Sequence, residues 1–381
     1  MKIVIASDSY KGSLTAKEVG NYIEAGVLRF NSQIEVVKVP MADGGEGTVQ
    51  SLVDATEGEI ITLQVKDPLL RDIDSFYGIL GDGKTAVIEM AAASGLPLLT
   101  EEEKDPLIAS SYGTGQLIKD ALDRGCRRFI IGLGGSATND AGAGMLKALG
   151  VIFKDDTGQE IPVGGIGLLR LKEIDMSNMD IRIKASTIKA ACDVDNKLYG
   201  LQGASYIFGP QKGADEIMVQ QLDKALMNFA QVVSESIGMD VSTIKGGGAA
   251  GGLGSAMVAF LNAKLEKGVD IVIEQTQLHK AMENADLVIT GEGMIDYQTK
   301  FGKTPYGVAQ VAKELKIPVI AIAGGIGNEA NILYEHGFDS IFSIVDKPMT
   351  LDESVERCGQ LLEDVACRII RVFMLNSQYK P

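Results

Sequence analysis

Several short segments of this 381-residue chain set Asp, Glu, Ser, Thr or Lys close to glycine where an apolar run ends. Residues of these types in this order suit small anions and phosphates. Glycine bares the backbone N–H groups, and polar side chains complete the recognition. The strongest such segment is Gly132-Leu133-Gly134-Gly135-Ser136-Ala137-Thr138-Asn139-Asp140, which follows the apolar run Phe129–Ile131 and leads into helix-like sequence ending near Leu149. Gly134 and Gly135 would let the backbone approach an anion, with a helix dipole behind it, and Ser136, Thr138 and Asn139 could add side-chain hydrogen bonds. The pattern Gly132-x-Gly134-x-x-Ala137 also fits a dinucleotide fingerprint, with Asp155 further along. The loop predicts phosphate binding without saying whose phosphate.

Other strand ends supply the remaining chemistry. In Pro40–Thr48, Asp43 could serve as a base or metal ligand, and Glu46 and Thr48 could anchor a substrate; an Asx turn with a helix cap is the structural alternative. In Asp8–Ser13, Lys11 is a cation beside hydroxyls, Ser13 among them, suited to a carboxylate or phosphate. Asp193 and Asp195 stand two apart at another strand end, a spacing that can share Mg²⁺ with substrate phosphates. Glu292 and Asp296 lie in a turn-like segment after an apolar run, and Lys303 precedes Thr304-Pro305 at a helix start, as a phosphate contact would. The glycine cluster Lys245–Gly254 reads either as a second anion nest or as a tight packing site. Gly78–Thr85 matches a P-loop pattern, but strand-like sequence follows it, so Gly81-Asp82-Gly83 is better explained as a hairpin turn.

The elements that must position these residues alternate. Ile3–Ala6 and Ile34–Val39 read as strands around a helix over Thr15–Phe30, where Thr15 and Glu18 have capping-box spacing. Ile60–Val65, Ser75–Leu80 and Ala86–Met90 read as an antiparallel meander. Helices follow at Gly115–Asp123, Glu216–Ile237 and Leu253–Leu265, with a short strand at Ile188–Ala191. The last third alternates strands Leu287–Thr290, Val319–Ala323 and Ile341–Val345 with helices Thr304–Leu315, Glu329–His336 and Glu353–Phe373, which predicts a parallel sheet. The expected fold is therefore α/β with two domains. A parallel-sheet, flavodoxin- or Rossmann-like domain is built from residues 1–60 plus 268–381, and a mixed-sheet α/β domain, residues 61–267, is inserted in it.

Composition narrows the class. Forty-five glycines, 45 % hydrophobic residues and a net charge of −15 describe a well-packed acidic globule. The acidic balance argues against nucleic acid, which needs clustered Lys and Arg. The four cysteines form no CxxC pair, and the two histidines lie in charged, helix-like surroundings. A zinc site, a disulfide framework and a histidine base are not expected, and acid–base work falls to Asp, Glu or Lys. A cytoplasmic setting, without a signal segment or membrane span, is expected.

Taken together, these motifs resemble the type-1 glycerate kinase family. The matching segments are Asp8–Ser13, Met41–Thr48, Glu89–Gly95, Gly132–Gly144, Cys192–Asn196, Phe208-Gly209-Pro210-Gln211-Lys212-Gly213-Ala214, Gly248–Gly252, Ile289–Gly293 and Gly302–Pro305. They run through most of the chain in the family's order. The resemblance implies two α/β domains with the active site in a cleft between them, and ATP-dependent phosphorylation of D-glycerate to 2-phosphoglycerate, with 3-phosphoglycerate as the alternative product. It departs from the family pattern at Tyr10, Lys197 and Met294, where Phe, Pro and Arg are usual. On this reading the Gly134–Asn139 loop cradles ATP phosphates with Lys303, and Asp193 or Glu292 holds Mg²⁺. Lys11, Ser13, Glu46 and Thr48 bind glycerate, and Asp193 or Asp43 accepts the hydroxyl proton. A monomer or homodimer is expected. The rival readings are a nicotinamide-dependent oxidoreductase of a small hydroxy acid and a non-catalytic nucleotide or acid sensor.

Overall fold

The computed structural model describes residues 1–375. Its strands are β1 (Lys2–Ser7), β2 (Glu35–Lys38), β3 (Glu59–Lys66), β4 (Asp72–Ile79), β5 (Thr85–Glu89), β6 (Arg128–Gly132), β7 (Ile152–Lys154), β8 (Glu173–Asp175), β9 (Thr187–Ala191), β10 (Lys264–Glu266), β11 (Leu287–Ile295), β12 (Val319–Ile326) and β13 (Ser340–Ser343). The chain forms two compact units. The first takes Met1–Asp43, Gln50–Glu57 and the chain from Val269 onward; the second takes Gly44–Val49 and Gly58–Gly268.

The first unit carries a five-stranded sheet in the order β13-β12-β11-β1-β2, with every pairing parallel. Counted within the unit this is the 2-1-3-4-5 order of flavodoxin-like folds, whose topological switch falls between β1 and β11. Strand β1 is buried on both faces because helices cover both sides of a parallel sheet, which explains its unbroken apolar run. Helix Ala16–Phe30 begins with the expected capping box. The Glu18 N–H donates to Thr15 Oγ1 at 3.3 Å, and the Thr15 N–H donates to Glu18 Oε2 at 2.8 Å. Its Gly26 lies against helix Cys358–Phe373 so closely that a Cβ there would sit 2.2 Å from the Glu363 carbonyl oxygen.

Three expectations for this unit need correction. The segment after Thr290 is not a turn, because β11 runs on to Ile295 and pairs with β12 through Ile326. Glycine permits this: a Cβ on Gly291 would sit 2.1 Å from the Ile322 carbonyl oxygen, and one on Gly324 would sit 2.5 Å from that of Gly293. The expected helix at Glu329–His336 is a 3₁₀ turn over Ala330–His336. The closing helix is split into Leu351–Glu356 and Cys358–Phe373 at Arg357, whose ψ of 5° leaves the helical range.

The second unit carries a six-stranded sheet in the order β10-β9-β6-β5-β4-β3. Strands β3, β4 and β5 form the antiparallel meander read from the sequence, while β5, β6, β9 and β10 run parallel. The β4–β5 connection is the predicted hairpin turn, with Gly83 at φ +65° and Asp82 Oδ1 accepting the N–H groups of Lys84 and Thr85. Phe129, Ile131, Ile88, Leu117 and Phe229 belong to its core. Here the expected helix Leu253–Leu265 is cut short. It ends at Leu261, where Asn262 turns left-handed (φ +53°), and Lys264–Glu266 instead forms β10 beside β9.

The contact at Gly26 yields a direct prediction. Gly26→Ala should lower stability by roughly 1–3 kcal/mol, the usual cost of overpacking a fitted interface. The check is a fall in the chemical denaturation midpoint, with substrate KM values unmoved.

Candidate active site

In the second unit the polar residues gather at the C-terminal ends of the parallel strands β5, β6 and β9. The loop after β6 is the centre. The Leu133 and Ala137 N–H groups donate to the carbonyls of Ala191 and Ser94. Between them, the N–H groups of Gly134, Gly135 and Ser136 have no acceptor among the described residues. Gly135 turns at φ +75°, the left-handed conformation that anion-binding nests of successive N–H groups use. Gly134 is informative in another way. Its φ is not positive, and a Cβ there would meet nothing nearer than the Gly45 Cα at 3.7 Å. Packing does not require glycine at this position, but close approach of a ligand to the backbone would.

Beneath the nest lies a residue that the sequence reading quoted within a motif but assigned no role. Lys212 is 2 % exposed. Its ammonium donates to Ser136 Oγ at 2.9 Å and to the Thr138 carbonyl at 2.6 Å. Burial pulls its pKa down to about 7, with Asp140 opposing. The buried Asp140 carboxylate accepts the N–H groups of Ser111, Gly142 and Gly144 and the Ser111 hydroxyl, which ties down the far end of the loop. These bonds favour its charged form, but burial outweighs them and raises its pKa.

The structure places two loop side chains inside the fold. Thr138 and Asn139 were expected to reach an anion, but both are fully buried. They pack under the kinked turn at Ala250–Gly252, where a Cβ on Gly251 would sit 2.0 Å from the Thr138 carbonyl oxygen. Asn139 Nδ2 donates to Ser205, while Thr138 Oγ1 and Asn139 Oδ1 have no partner among the described residues. The open face of the loop is therefore Gly134 and Gly135, with Ser136 at its edge. The helix expected directly behind the loop also starts late, at Ala143, and is only six residues long.

The Gly44–Val49 segment runs beside this loop: a Cβ on Gly132 would meet the Gly44 carbonyl oxygen at 2.6 Å. Glu46 is exposed, whereas the Thr48 side chain, expected to anchor substrate, is buried with Oγ1 unpartnered. The Glu89 carboxylate at the end of β5 accepts the Val49 N–H at 2.8 Å, and burial raises its pKa. Asp193, at the end of β9, is exposed and accepts the Gly268 N–H at 3.1 Å. Asp195 is paired with Lys245 at 3.0 Å.

In the first unit a carboxylate group forms at the switch point between β1 and β11. The Asp8 carboxyl, at the end of β1, accepts the Thr304 hydroxyl at 2.5 Å and the Ser9 N–H at 2.6 Å. Burial, with repulsion from Asp43, raises its pKa to about 6. Glu292 accepts the Thr299 hydroxyl at 2.9 Å and pairs with Lys303 at 3.2 Å. Burial still carries its pKa up to about 7, with Asp8 adding to the rise. Lys303, expected to contact phosphate, is thus engaged by a carboxylate expected to hold metal. Asp8 and Thr304 were not singled out in the sequence, although both lie in quoted motifs. Lys11 is exposed on the turn after β1, and Ser13 donates to the Val355 carbonyl at 3.2 Å. Lys11 and Ser13 border a cavity of about 220 Å³, lined also by Gly293, Met294, Gly324 and Met349. Among the described residues, no three His, Cys, Asp or Glu side chains form a ready-made metal cage.

An unpaired N–H nest with a lysine beneath it and a strand-end carboxylate cluster define an α/β enzyme that handles small anionic substrates. Comparison with known proteins gives the family. The model of the glycerate kinase family matches residues 3–374. Glycerate kinase of Halalkalibacterium halodurans is 50 % identical over 375 residues, covering 98 % of this chain and 99 % of its own. Glycerate 2-kinase of Escherichia coli is 50 % identical over 354 residues, 93 % of each chain. The crystal structure of a protein provisionally described as glycerate kinase 2, from Salmonella typhimurium LT2, superposes with a TM-score of 0.92 at 46 % identity over 99 % of both chains. The chain belongs to the glycerate kinase family and is a phosphotransferase.

The carboxylate cluster predicts a pH dependence. Asp8 and Glu292 keep protons in the folded unit that an unfolded chain releases near pH 4. Their stabilisation is therefore complete below about pH 4 and is lost as pH rises through about 6 and about 7. Glu292→Gln should flatten the upper part of the decline in melting temperature between about pH 6 and about pH 8. An unchanged slope in the variant would contradict the assignment.

Proposed function

We propose that this enzyme transfers the γ-phosphoryl group of ATP to the 2-hydroxyl of D-glycerate, giving 2-phosphoglycerate and ADP. The observation that carries the phosphate half of this reading is the unpaired N–H nest at Gly134–Ser136. The family supplies the glycerate half, and the Escherichia coli relative named glycerate 2-kinase supports the 2-hydroxyl.

Phosphoryl transfer is mostly positioning and charge neutralisation. In this reading the nest receives phosphate oxygens, and Ser136 adds a hydroxyl donor at its rim. Lys11, an exposed cation, is assigned to the glycerate carboxylate, and the exposed Glu46 is assigned to substrate binding. Asp193 or Asp43 accepts the proton of the attacking hydroxyl. Both stand at strand ends where α/β folds place ligands.

Asp8 and Glu292, at the ends of β1 and β11, are carboxylates whose pKa burial raises, and a Mg²⁺ bound beside either would favour its charged form. Glu292 or Asp193 is the residue assigned to hold the ion, and when bound it would neutralise phosphate charge. Lys303 holds Glu292 and can move to a phosphate once the carboxylate has another partner.

Phosphorus NMR of the product decides the regiochemistry, with a signal from 3-phosphoglycerate overturning it. Asp43→Asn and Asp193→Asn, made separately, should include one variant whose kcat falls about 100-fold or more in a glycerate-dependent ADP-release assay. Near-normal kcat in both would refute the base assignment. Lys11→Ala should raise the KM for glycerate more than that for ATP, and the reverse would move Lys11 to the nucleotide.

A further inference from the structure

Lys212 is buried under the nest without an ion-pair partner among the described residues. A lysine in that position needs an explanation, because a buried ammonium normally demands a close carboxylate. Its two acceptors are a hydroxyl and a carbonyl, both neutral and both part of the loop that carries the nest. The charged groups around it are accounted for. Asp140, from the loop, is bound by Ser111, Gly142 and Gly144. Lys104 packs against Gly213, and its ammonium lies on Glu101. Asp215, on the far side of Gly213, caps the next helix through the Met218 N–H. Asp140 acts on Lys212 through space but makes no salt bridge with it, so a direct counter-charge is left to an anion above the loop.

The bonding also transmits that charge outward. Ser136 Oγ accepts from Lys212, which leaves its own hydroxyl proton free to donate from the loop's edge, and hydrogen bonds in such a chain strengthen one another. The bond to the Thr138 carbonyl holds the loop's other side down, and buried Thr138 and Asn139 keep it from sliding.

Resting on the phosphate role given above to this loop, we propose that Lys212 is its positioning residue: it clamps Ser136 and Thr138, supplies positive charge beneath the bound nucleotide phosphate, and makes nucleotide binding take up a proton from solvent whenever the lysine starts neutral. Burial that lowers the Lys212 pKa to about 7 puts the neutral form within reach of ordinary assay conditions.

The test is calorimetric titration of the full-length enzyme with ATP in two buffers of different ionisation enthalpy, near pH 8, where the nucleotide's own phosphates are ionised. Wild type should take up roughly half a proton or more per nucleotide, and Lys212→Met should take up almost none. In steady-state kinetics Lys212→Met should raise the KM for ATP about tenfold or more while the glycerate KM stays within about twofold, and Lys212→Arg should recover part of the loss. No proton uptake by wild type, or an unchanged ATP KM in the folded variant, overturns the proposal while leaving the kinase assignment intact. A change confined to the glycerate KM overturns it too, because Lys212 would then serve the other substrate. Should Lys212→Met fail to fold by circular dichroism, the wild-type proton count and Lys212→Gln decide. Failure of wild type to release ADP with glycerate would instead sink the proposed reaction.

Discussion

Three successive backbone N–H groups without an acceptor among the described residues are the constraint around which the second unit is arranged. No internal acceptor fixes these N–H groups, so the loop is held by other bonds. They act from both ends and from below. Asp140 gathers Ser111, Gly142 and Gly144 at the downstream end, and Leu133 and Ala137 pair with Ala191 and Ser94 on either side. Lys212 holds the middle. Glycine at 134 and 135 then keeps side chains out of the space that the N–H groups face.

The first unit solves a different electrostatic problem. The 2-1-3-4-5 strand order brings the ends of β1 and β11 together, and with them Asp8 and Glu292. Each is stabilised by a hydroxyl, from Thr304 and Thr299, yet burial still raises the pKa of both. Carboxylates held part-way to neutrality at a switch point are tuned for a partner that brings positive charge. Tyr10 shows how firmly this corner is built. Its hydroxyl donates to the Ile322 carbonyl at 2.8 Å, which ties the turn after β1 to β12.

Much of the fold was legible because its signals are local. Thr15 and Glu18 cap a helix through atoms three residues apart, and a run such as Ile3–Ala6 can only be a strand buried on both faces. The misread elements depend on distant partners. Gly291 and Gly293 look like a turn until β12 presents Gly324 and Gly325 beside them. Lys264–Glu266 looks helical until β9 offers an edge. The site divides the same way. Asp43, Asp193 and the Gly134 loop announce themselves by composition. By contrast, the importance of Lys212 comes from burial 76 residues away from the hydroxyl it holds, which spacing along the chain does not encode.

The glycine content therefore has two physical causes that composition alone merges. Gly26, Gly144 and Gly251 are bare because another part of the same unit occupies the place of a Cβ, at 2.2, 2.3 and 2.0 Å respectively. Any side chain there would have to displace the backbone of Glu363, the Ser110 hydroxyl or the Thr138 carbonyl. Gly134 and Gly293 are bare without such a reason: neither has a positive φ, and their nearest contacts are 3.7 and 3.8 Å away. Folding would tolerate alanine at both, so glycine there leaves backbone open rather than relieving a clash. One of these glycines opens the nest over Lys212, and the other lies on the cavity beside Lys11. A substitution that the fold accepts and the substrate rejects separates a glycine kept for chemistry from one kept for packing.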